Sequence, residues 1–399
     1  MRNSPTAFQA LAETWHAAPR RWGHPLHSLC SYLAMFPPAI PHVFVEWLTE
    51  PGDTVYDPFS GRGTTAFEAC LMGRTGVGGD ANPLAWLLTS AKVNPPPLSD
   101  LARRLRELRS RQRIFSVNAA PPEIRMLFAP ETLGQLLWLR KELNLRQKAD
   151  RFLAAVLSGV LHLNADSLGR PRGLTVAMPN TFAMSPAYVA KYIRKHRLTA
   201  PEVDVISLLQ DRVQQLVWPN DDFRRGRSWM RNVRSTLSWP EEINRPRLIF
   251  TSPPYLQVIK YGKYNWIRLW LLGMDGKAVD RQLFASSSLK RYLAFMQCAV
   301  SRMRRVLRDD GYICLIIGDV RRGDTHLNLA KAVVSQCLTG TDLRAVGTIT
   351  DRIPVKHKVS RIWKDNPGRA TKTDRILILA APRAKGPGRI PAPRWASWT

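Results

Sequence analysis

The sequence predicts an α/β fold: a doubly wound, mostly parallel sheet with helices on both faces, interrupted by a mostly helical insertion. Three observations predict it. A short strand runs into a glycine turn, a helix and a second strand that ends on an acid, which is half of a doubly wound unit. Apolar strand signals return only from about residue 247 onward. Between the two lie about 130 residues with helical periodicity, a domain-sized block.

Taken in order, Pro41 to Leu48 reads as an apolar helix stopped by Pro51-Gly52. Thr54-Val55-Tyr56-Asp57 reads as a strand, Phe59-Ser60-Gly61-Arg62-Gly63 as a tight turn, and Ala66 to Met72 as a helix opened by Thr64 and Thr65. Gly76 to Gly79 is the second strand, and Asp80 closes it. Helices follow at 101–113, 133–143, 151–163, 188–197 and 203–217, around a Gly-, Pro- and Asn-rich loop at 169–186. Strand signals reappear at 247–250, 312–317 and 375–379. The domain boundaries expected are 1–98, the insertion at 99–235, 236–382, and a basic, Pro-rich, disordered tail at 383–399.

Composition narrows the function. The chain has 399 residues, of which 45% are hydrophobic and 23% charged, enough for a buried core and too apolar for disorder. No run of about 18 uncharged apolar residues appears, so no membrane span is expected, and the first residues do not read as a secretory signal. Five scattered cysteines without CxxC spacing imply a reduced, cytoplasmic protein with no metal cluster. Lys+Arg is 59 against Asp+Glu 31, a formal charge of +28. Such an excess fits a polyanionic partner, above all nucleic acid.

Two constellations carry chemistry. A turn leaving the carboxyl end of a first strand needs glycine where backbone meets a ligand, and Asp80 at the end of the second strand is placed to accept from ribose hydroxyls. Alone, a glycine turn is often only a turn. Thr251-Ser252-Pro253-Pro254-Tyr255 leaves the strand at 248–250; two prolines cannot continue a ladder, so they present a rigid turn at the edge where open α/β sheets bind ligands. It offers a hydroxyl, carbonyls and an aromatic face.

Asp57-Pro58-Phe59-Ser60-Gly61-Arg62-Gly63-Thr64-Thr65 resembles the S-adenosylmethionine (SAM) motif of the amino-methyltransferases acting on DNA, and Thr251 to Tyr255 resembles their catalytic motif. Tyr32 to Pro38 resembles the segment that precedes the SAM loop and closes over the methionine end, and Ala370 to Leu379 the last strand region. The resemblance implies a Rossmann-like SAM-methyltransferase sheet. It implies a cofactor site of Phe36, Pro37, Asp57, Phe59, Gly61, Gly63, Thr64, Thr65, Asp80 and Asn82, and a catalytic set of Ser252, Pro253, Pro254 and Tyr255. It also implies release of S-adenosylhomocysteine, with no metal. In that family the Ser form of the turn goes with N4 of cytosine and the Asp or Asn form mostly with N6 of adenine. Should Asn232 be the counterpart of the family's adenine-contacting Asp, a neutral amide replaces an acid.

The expected chemistry is direct transfer to a base flipped out of double-stranded DNA, with Ser252 and the Pro253 carbonyl accepting the amine hydrogens and Tyr255 stacking on the base. Attack at C5 needs a cysteine nucleophile, usually carried in Pro-Cys, which this sequence lacks. Arg103, Arg104, Arg106, Lys191, Arg194, Lys195, Arg224, Arg225 and Arg227 are the expected phosphate contacts. A cognate restriction endonuclease is the partner such an enzyme would have, in the cytoplasm at the nucleoid. The rivals are N6-adenine methylation, RNA methylation, and a catalytically silent binding module. His24, His27 and His42 lack ligand spacing and read as packing or surface residues. Asp319 reads equally as pocket residue or strand cap. Tyr261 and Lys263 lie close enough in sequence to the turn to line a pocket.

Overall fold

The structure is a computed structural model that describes residues 5–19, 22–33, 35–162, 172–177, 184–217, 223–235, 238–256, 259–322, 325–352, 370–386, 388, 390–393 and 395. The helices are α1 (Pro5–His16), α2 (Ala39–Leu48), α3 (Thr64–Leu71), α4 (Pro83–Val93), α5 (Leu98–Arg111), α6 (Pro122–Arg125), α7 (Pro130–Glu142) and α8 (Lys148–Val160). They continue with α9 (Pro186–His196), α10 (Val205–Leu216), α11 (Tyr261–Tyr264), α12 (Trp266–Leu271), α13 (Gly276–Gln282), α14 (Leu289–Val306) and α15 (Leu329–Cys337). The strands are β1 (Thr54–Asp57), β2 (Thr75–Asp80), β3 (Arg227–Met230), β4 (Leu248–Thr251), β5 (Tyr312–Arg322), β6 (Thr325–Leu327), β7 (Arg344–Arg352) and β8 (Ala370–Ala380).

The sheet runs β3-β2-β1-β4-β5-β8-β7, with β6 paired to β5 as a short hairpin arm. Pairings from β3 through β5 are parallel, and β8 enters antiparallel between β5 and β7. Its central strands are covered on both faces, so apolar residues alternate to opposite sides there instead of alternating with polar ones. Tyr56, Ile249, Ile313, Leu315, Leu377 and Leu379 pack under α14 and α15. Their neighbours Val55, Leu248, Phe250, Cys314, Ile316, Ile376 and Ile378 pack with Val43, Phe44 and Leu48 of α2 and with Leu11 and Trp15 of α1. The fold is the Rossmann-like sheet that was expected.

Three features differ from the sequence reading. The span 99–235 contributes β3, which pairs with β2, so its last part belongs to the sheet. Its helices do not fold apart either. Leu101, Leu108, Leu136, Leu153, Leu157, Leu209 and Val213 share one apolar core with Phe67 of α3 and Leu84 and Leu88 of α4. The loop expected at 169–186 lies largely outside the described residues. The tail is not solvent-bathed. Ala384 is buried, Trp47 Nε1 donates to the Gly388 carbonyl at 3.1 Å, and the Trp395 ring lies 4.7 Å from Trp22 and 5.7 Å from His42. Trp395 from the tail and Trp22 and Trp47 from the N-terminal part dock its described residues despite their composition.

Trp395→Ala should therefore lower the unfolding free energy by about 1–2 kcal/mol, from a lost aromatic pair and its burial. Denaturant titration checks this; an unchanged midpoint would mean that the tail contributes nothing.

Candidate active site

The carboxyl edge of the sheet holds a pocket of about 900 Å³ including its open mouth. Its wall joins the turn after β1 (Phe59, Ser60, Gly61, Arg62), the end of β2 (Asp80, Asn82), the residues after β3 (Arg231, Asn232, Val233) and the turn after β4 (Ser252 to Tyr255). Tyr32, Phe36 and Tyr261 close it from other segments. Residues as far apart in sequence as 32 and 295 thus share one cavity because β2, β1 and β4 are adjacent and parallel.

The glycine turn is shaped by packing. Gly63 has φ +78°, and a Cβ there would fall 2.8 Å from the Thr89 backbone, so only glycine lets α3 start so close to α4. The Gly61 N–H donates to Asp80 Oδ2 at 2.9 Å, and the Asn82 N–H donates to Asp80 Oδ1 at 2.8 Å. Burial pushes the Asp80 carboxyl up to about 6 against these donors, so it is largely ionised at neutral pH. Asn82 has two duties: its Oδ1 caps α4 at Leu84 N, and its Nδ2 donates to Tyr32 OH at 2.7 Å. Tyr32 in turn stacks on Tyr261, with centroids 5.6 Å apart.

Asp57 does not line the pocket. It is buried beneath it, accepting from Phe59 N at 3.1 Å and from Thr251 Oγ1 at 2.5 Å. Burial drives its carboxyl up to about 7, opposed first by the Thr251 hydroxyl. Thr251 immediately precedes the Ser-Pro-Pro-Tyr turn, so one carboxylate holds both turns. Ser252 Oγ lies 3.4 Å from the Ile316 carbonyl and 3.4 Å from Tyr255 OH. Spending its proton on Ile316 leaves its lone pairs toward the cavity. Gly318 faces the Tyr255 ring, where a Cβ would stand 2.8 Å from Cε1; β5 thus leaves room for that ring. Burial raises the Tyr255 phenol far above its ordinary range, so it stays protonated.

Of the sequence-nominated cofactor residues, Phe36, Phe59, Gly61, Thr64, Asp80 and Asn82 border the pocket; Pro37, Asp57, Gly63 and Thr65 do not. Thr65 is fully buried, and Pro37 is exposed. All four catalytic nominees meet there, as does Asn232. Sequence reading missed Arg231 and Val233 and the apolar wall of Leu283, Phe284 and Phe295, which come from segments carrying no motif. Asp319 is neither pocket residue nor strand cap: its buried carboxylate is gripped by the Arg375 guanidinium at 2.8 Å. His27 and His42 both bond Glu68, at 2.6 and 2.9 Å.

The basic nominees scatter. Arg104 is a structural group, bound through two nitrogens to Asp150 at 2.6 and 3.1 Å. Arg103 pairs with Asp100 on the surface, and Arg106 is exposed. Arg224, Arg225 and Arg227 are exposed at the amino edge of the sheet, where Arg224 approaches Gly52 and Gly226 N donates to the Val93 carbonyl. That edge is a strand length, roughly 13 Å, from the pocket edge. Lys191, Arg194 and Lys195 are exposed on α9 beside a run of rings, Tyr188, Tyr192 and His196. Met184, just before α9, accepts at 2.8 Å from Trp266 Nε1, two residues beyond α11, whose Tyr261 borders the pocket.

A parallel sheet with one reversed strand near its end, presenting a glycine turn, an acid and a Ser-Pro-Pro-Tyr turn to a single cavity, is a Rossmann-like architecture with its site at the carboxyl edge. Residues 9–85 match the family model described as DNA methylase. That match spans the Tyr32 segment and the glycine turn, two of the segments on which the resemblance was read, and stops short of the Ser-Pro-Pro-Tyr turn.

The type II methyltransferase M.MjaII of Methanocaldococcus jannaschii is 28% identical over 117 residues, 29% of this chain and 21% of that protein. Among solved structures, a protein of Thermus thermophilus described as a DNA modification methylase is 21% identical, with TM-score 0.22, over 38% of this chain and 50% of its own. The rRNA methyltransferase AviRa of Streptomyces viridochromogenes is 12% identical, with TM-score 0.34, over 89% and 90%. Both scores are too low to add to what the strand order shows. The chain spans about a fifth of the curated relative's length and half of the Thermus protein's.

The Asp57–Thr251 bond generates a pH prediction. Because the folded carboxyl titrates near 7 instead of near 3.8, the folded state holds the extra proton between those values. That contribution to stability is present below the lower value and is lost as pH rises through the upper one. Asp57→Asn should flatten this decline. Denaturation free energies measured from pH 5 to 8 should fall more steeply in wild type than in the variant; parallel curves would assign the proton elsewhere.

Proposed function

We propose that the chain is a SAM-dependent DNA methyltransferase that modifies the exocyclic N4 of cytosine. The observation that carries the reading is the single pocket joining Gly61 and Asp80 to Ser252 and Tyr255. The match of residues 9–85 to a DNA methylase family and the likeness to a type II methyltransferase support DNA as substrate. The Ser form of the turn supports cytosine over adenine.

The donor set suits SAM. Asp80, held by two backbone N–H groups, offers its remaining lone pairs to ribose hydroxyls; Asn232, Phe59 and Val233 border the nucleoside side, and Tyr32 and Phe36 the other. SAM, when bound, supplies an activated methyl group. Ser252 Oγ and the Pro253 carbonyl accept the two hydrogens of the exocyclic amine. They thereby draw the nitrogen lone pair out of conjugation with the ring and aim it across the pocket. Tyr255, protonated and packed over Gly318, presents its face to the extruded base. Orientation and preorganised acceptors lower the barrier without a covalent enzyme intermediate; as the N–C bond forms the S–C bond breaks, leaving a neutral thioether, and the amine gives up one proton to solvent. DNA is gripped by α9 through its exposed basic and aromatic side chains; Met184, just before α9, is bonded to Trp266, close in sequence to the pocket residue Tyr261.

Ser252→Ala should slow methyl transfer by about 10²-fold with SAM affinity near wild type, the scale of one preorganised polar contact. Nucleoside analysis of methylated DNA should show N4-methylcytosine; N6-methyladenine alone would keep the architecture and overturn the base assignment. Wild-type rates in Ser252→Ala and Tyr255→Ala would move the active site elsewhere.

The interface has its own test. Neutralising Lys191, Arg194 and Lys195 should reduce the slope of log affinity for duplex DNA against log salt by about 2–3. Neutralising Arg224, Arg225 and Arg227 should leave it unchanged. The opposite pattern would place DNA at the amino edge.

A further inference from the structure

Arg62 stands inside the glycine turn, between Gly61 and Gly63, and borders the pocket. Its guanidinium is largely withdrawn from solvent. Nε donates to Thr64 Oγ1 at 3.2 Å and Nη1 to the His27 carbonyl at 3.0 Å, both neutral acceptors. Its salt-bridging counterparts each have an acid: Arg104 has Asp150, Arg109 has Asp204, Arg304 has Asp342 and Arg375 has Asp319. Among the described residues no carboxylate bears on Arg62; burial lowers its pKa to about 10, leaving it charged at neutral pH.

Among the described residues the surroundings do not supply the missing anion. Glu68, the nearby buried acid, is engaged by His27 and His42. Lys92, buried and among the described residues without a hydrogen-bond partner at Nζ, adds a second basic group, pushed well below its ordinary pKa by burial and by Arg62. Helix α3 begins at Thr64, so its first N–H groups also favour negative charge here. A half-buried cation with two hydrogen bonds and, among the described residues, no counter-ion is costly unless something brings the charge in. The same pocket has an acid, Asp80, at the end of β2.

We propose that Arg62 is the counter-ion for a carboxylate that arrives on the ligand: the α-carboxylate at the amino-acid end of SAM. This rests on the SAM reading above and names the residue that pairs with the carboxylate in it. The ribose lies at Asp80 and the amino-acid end lies at Arg62, under the segment that carries Tyr32. Thr64 and the His27 carbonyl hold the guanidinium plane, so a carboxylate meets a preset fork.

The test is calorimetric binding of SAM and of decarboxylated SAM, which keeps the nucleoside, the sulfonium and the amine but has no carboxylate. Wild type should bind the decarboxylated form about 10- to 100-fold more weakly, the range for a charge-assisted contact. Arg62→Ala should bind SAM more weakly by a similar factor and hold the two ligands within about 3-fold of each other. Arg62→Lys should recover part of the discrimination. A variant Arg62→Ala that discriminates as strongly as wild type would overturn the proposal. If that variant does not fold, wild type and Arg62→Lys decide: a wild-type ratio near one, or an unaltered ratio in Arg62→Lys, overturns it. Binding of neither ligand to wild type would overturn the SAM reading itself, a result distinct from SAM binding without discrimination.

Discussion

The buried carboxylate of Asp57 is the constraint on which the site depends. It lies at the end of β1, accepts from the first N–H of the glycine turn through Phe59, and accepts again from the Thr251 hydroxyl at the end of β4. Two turns nearly 200 residues apart in sequence are thereby tied to one atom group. Parallel pairing of β1 with β4 brings the strand ends level; the hydrogen bonds fix where each turn leaves them. The cavity wall of Gly61, Asp80, Ser252 and Tyr255 is the space those exits enclose.

A second set of bonds fixes the segment that covers the cavity. Three guanidiniums from three elements converge on residues 27–31: Arg62 on the His27 carbonyl, Arg212 of α10 on the Ser28 carbonyl, and Arg268 of α12 on Ser31 Oγ. Arg268 is fully buried and also bonds the Ser158 carbonyl and Asn265. The helices of the middle region therefore do more than fill space beside α4. They hold the approach to Tyr32, whose hydroxyl is already bound by Asn82. This binds the middle region to the pocket through the backbone of one short segment.

Much of the site was legible because its residues sit at fixed offsets from strand ends. A strand that stops at Asp57, Asp80 or Thr251 delivers the next few residues to the same sheet edge, however long the chain between one strand and another. The buried glycine at 63 and the paired prolines at 253 and 254 mark such exits in sequence. The residues that escaped are set by tertiary proximity. Arg104 looks like any arginine of a basic helix until Asp150, on another helix, takes it out of solution. The Arg224 to Arg227 cluster is as basic as α9, yet the direction of β3 puts it on the far side of the sheet. Strand β7, Arg-Ala-Val-Gly-Thr-Ile-Thr-Asp-Arg, has polar residues on both faces at a sheet edge and carries no continuous apolar signal. The tail misleads for the opposite reason: its composition is that of a free linker, and three tryptophans, Trp22, Trp47 and Trp395, hold it down.

The position of β8 has a consequence for how the molecule is made. Among the described residues this strand is the last in sequence but an interior one in space, with β5 on one side and β7 on the other. Until it pairs, the apolar stretch from Tyr312 to Ile317 presents an open edge of N–H and C=O groups, and β7 has no sheet to join. An exposed apolar edge is a template for pairing with another chain. Synthesis thus delivers a nearly complete sheet whose most adhesive edge is covered only by its final strand. The reversed direction of β8 shortens that interval, because an antiparallel strand can add to an existing edge directly, without a crossover helix of its own.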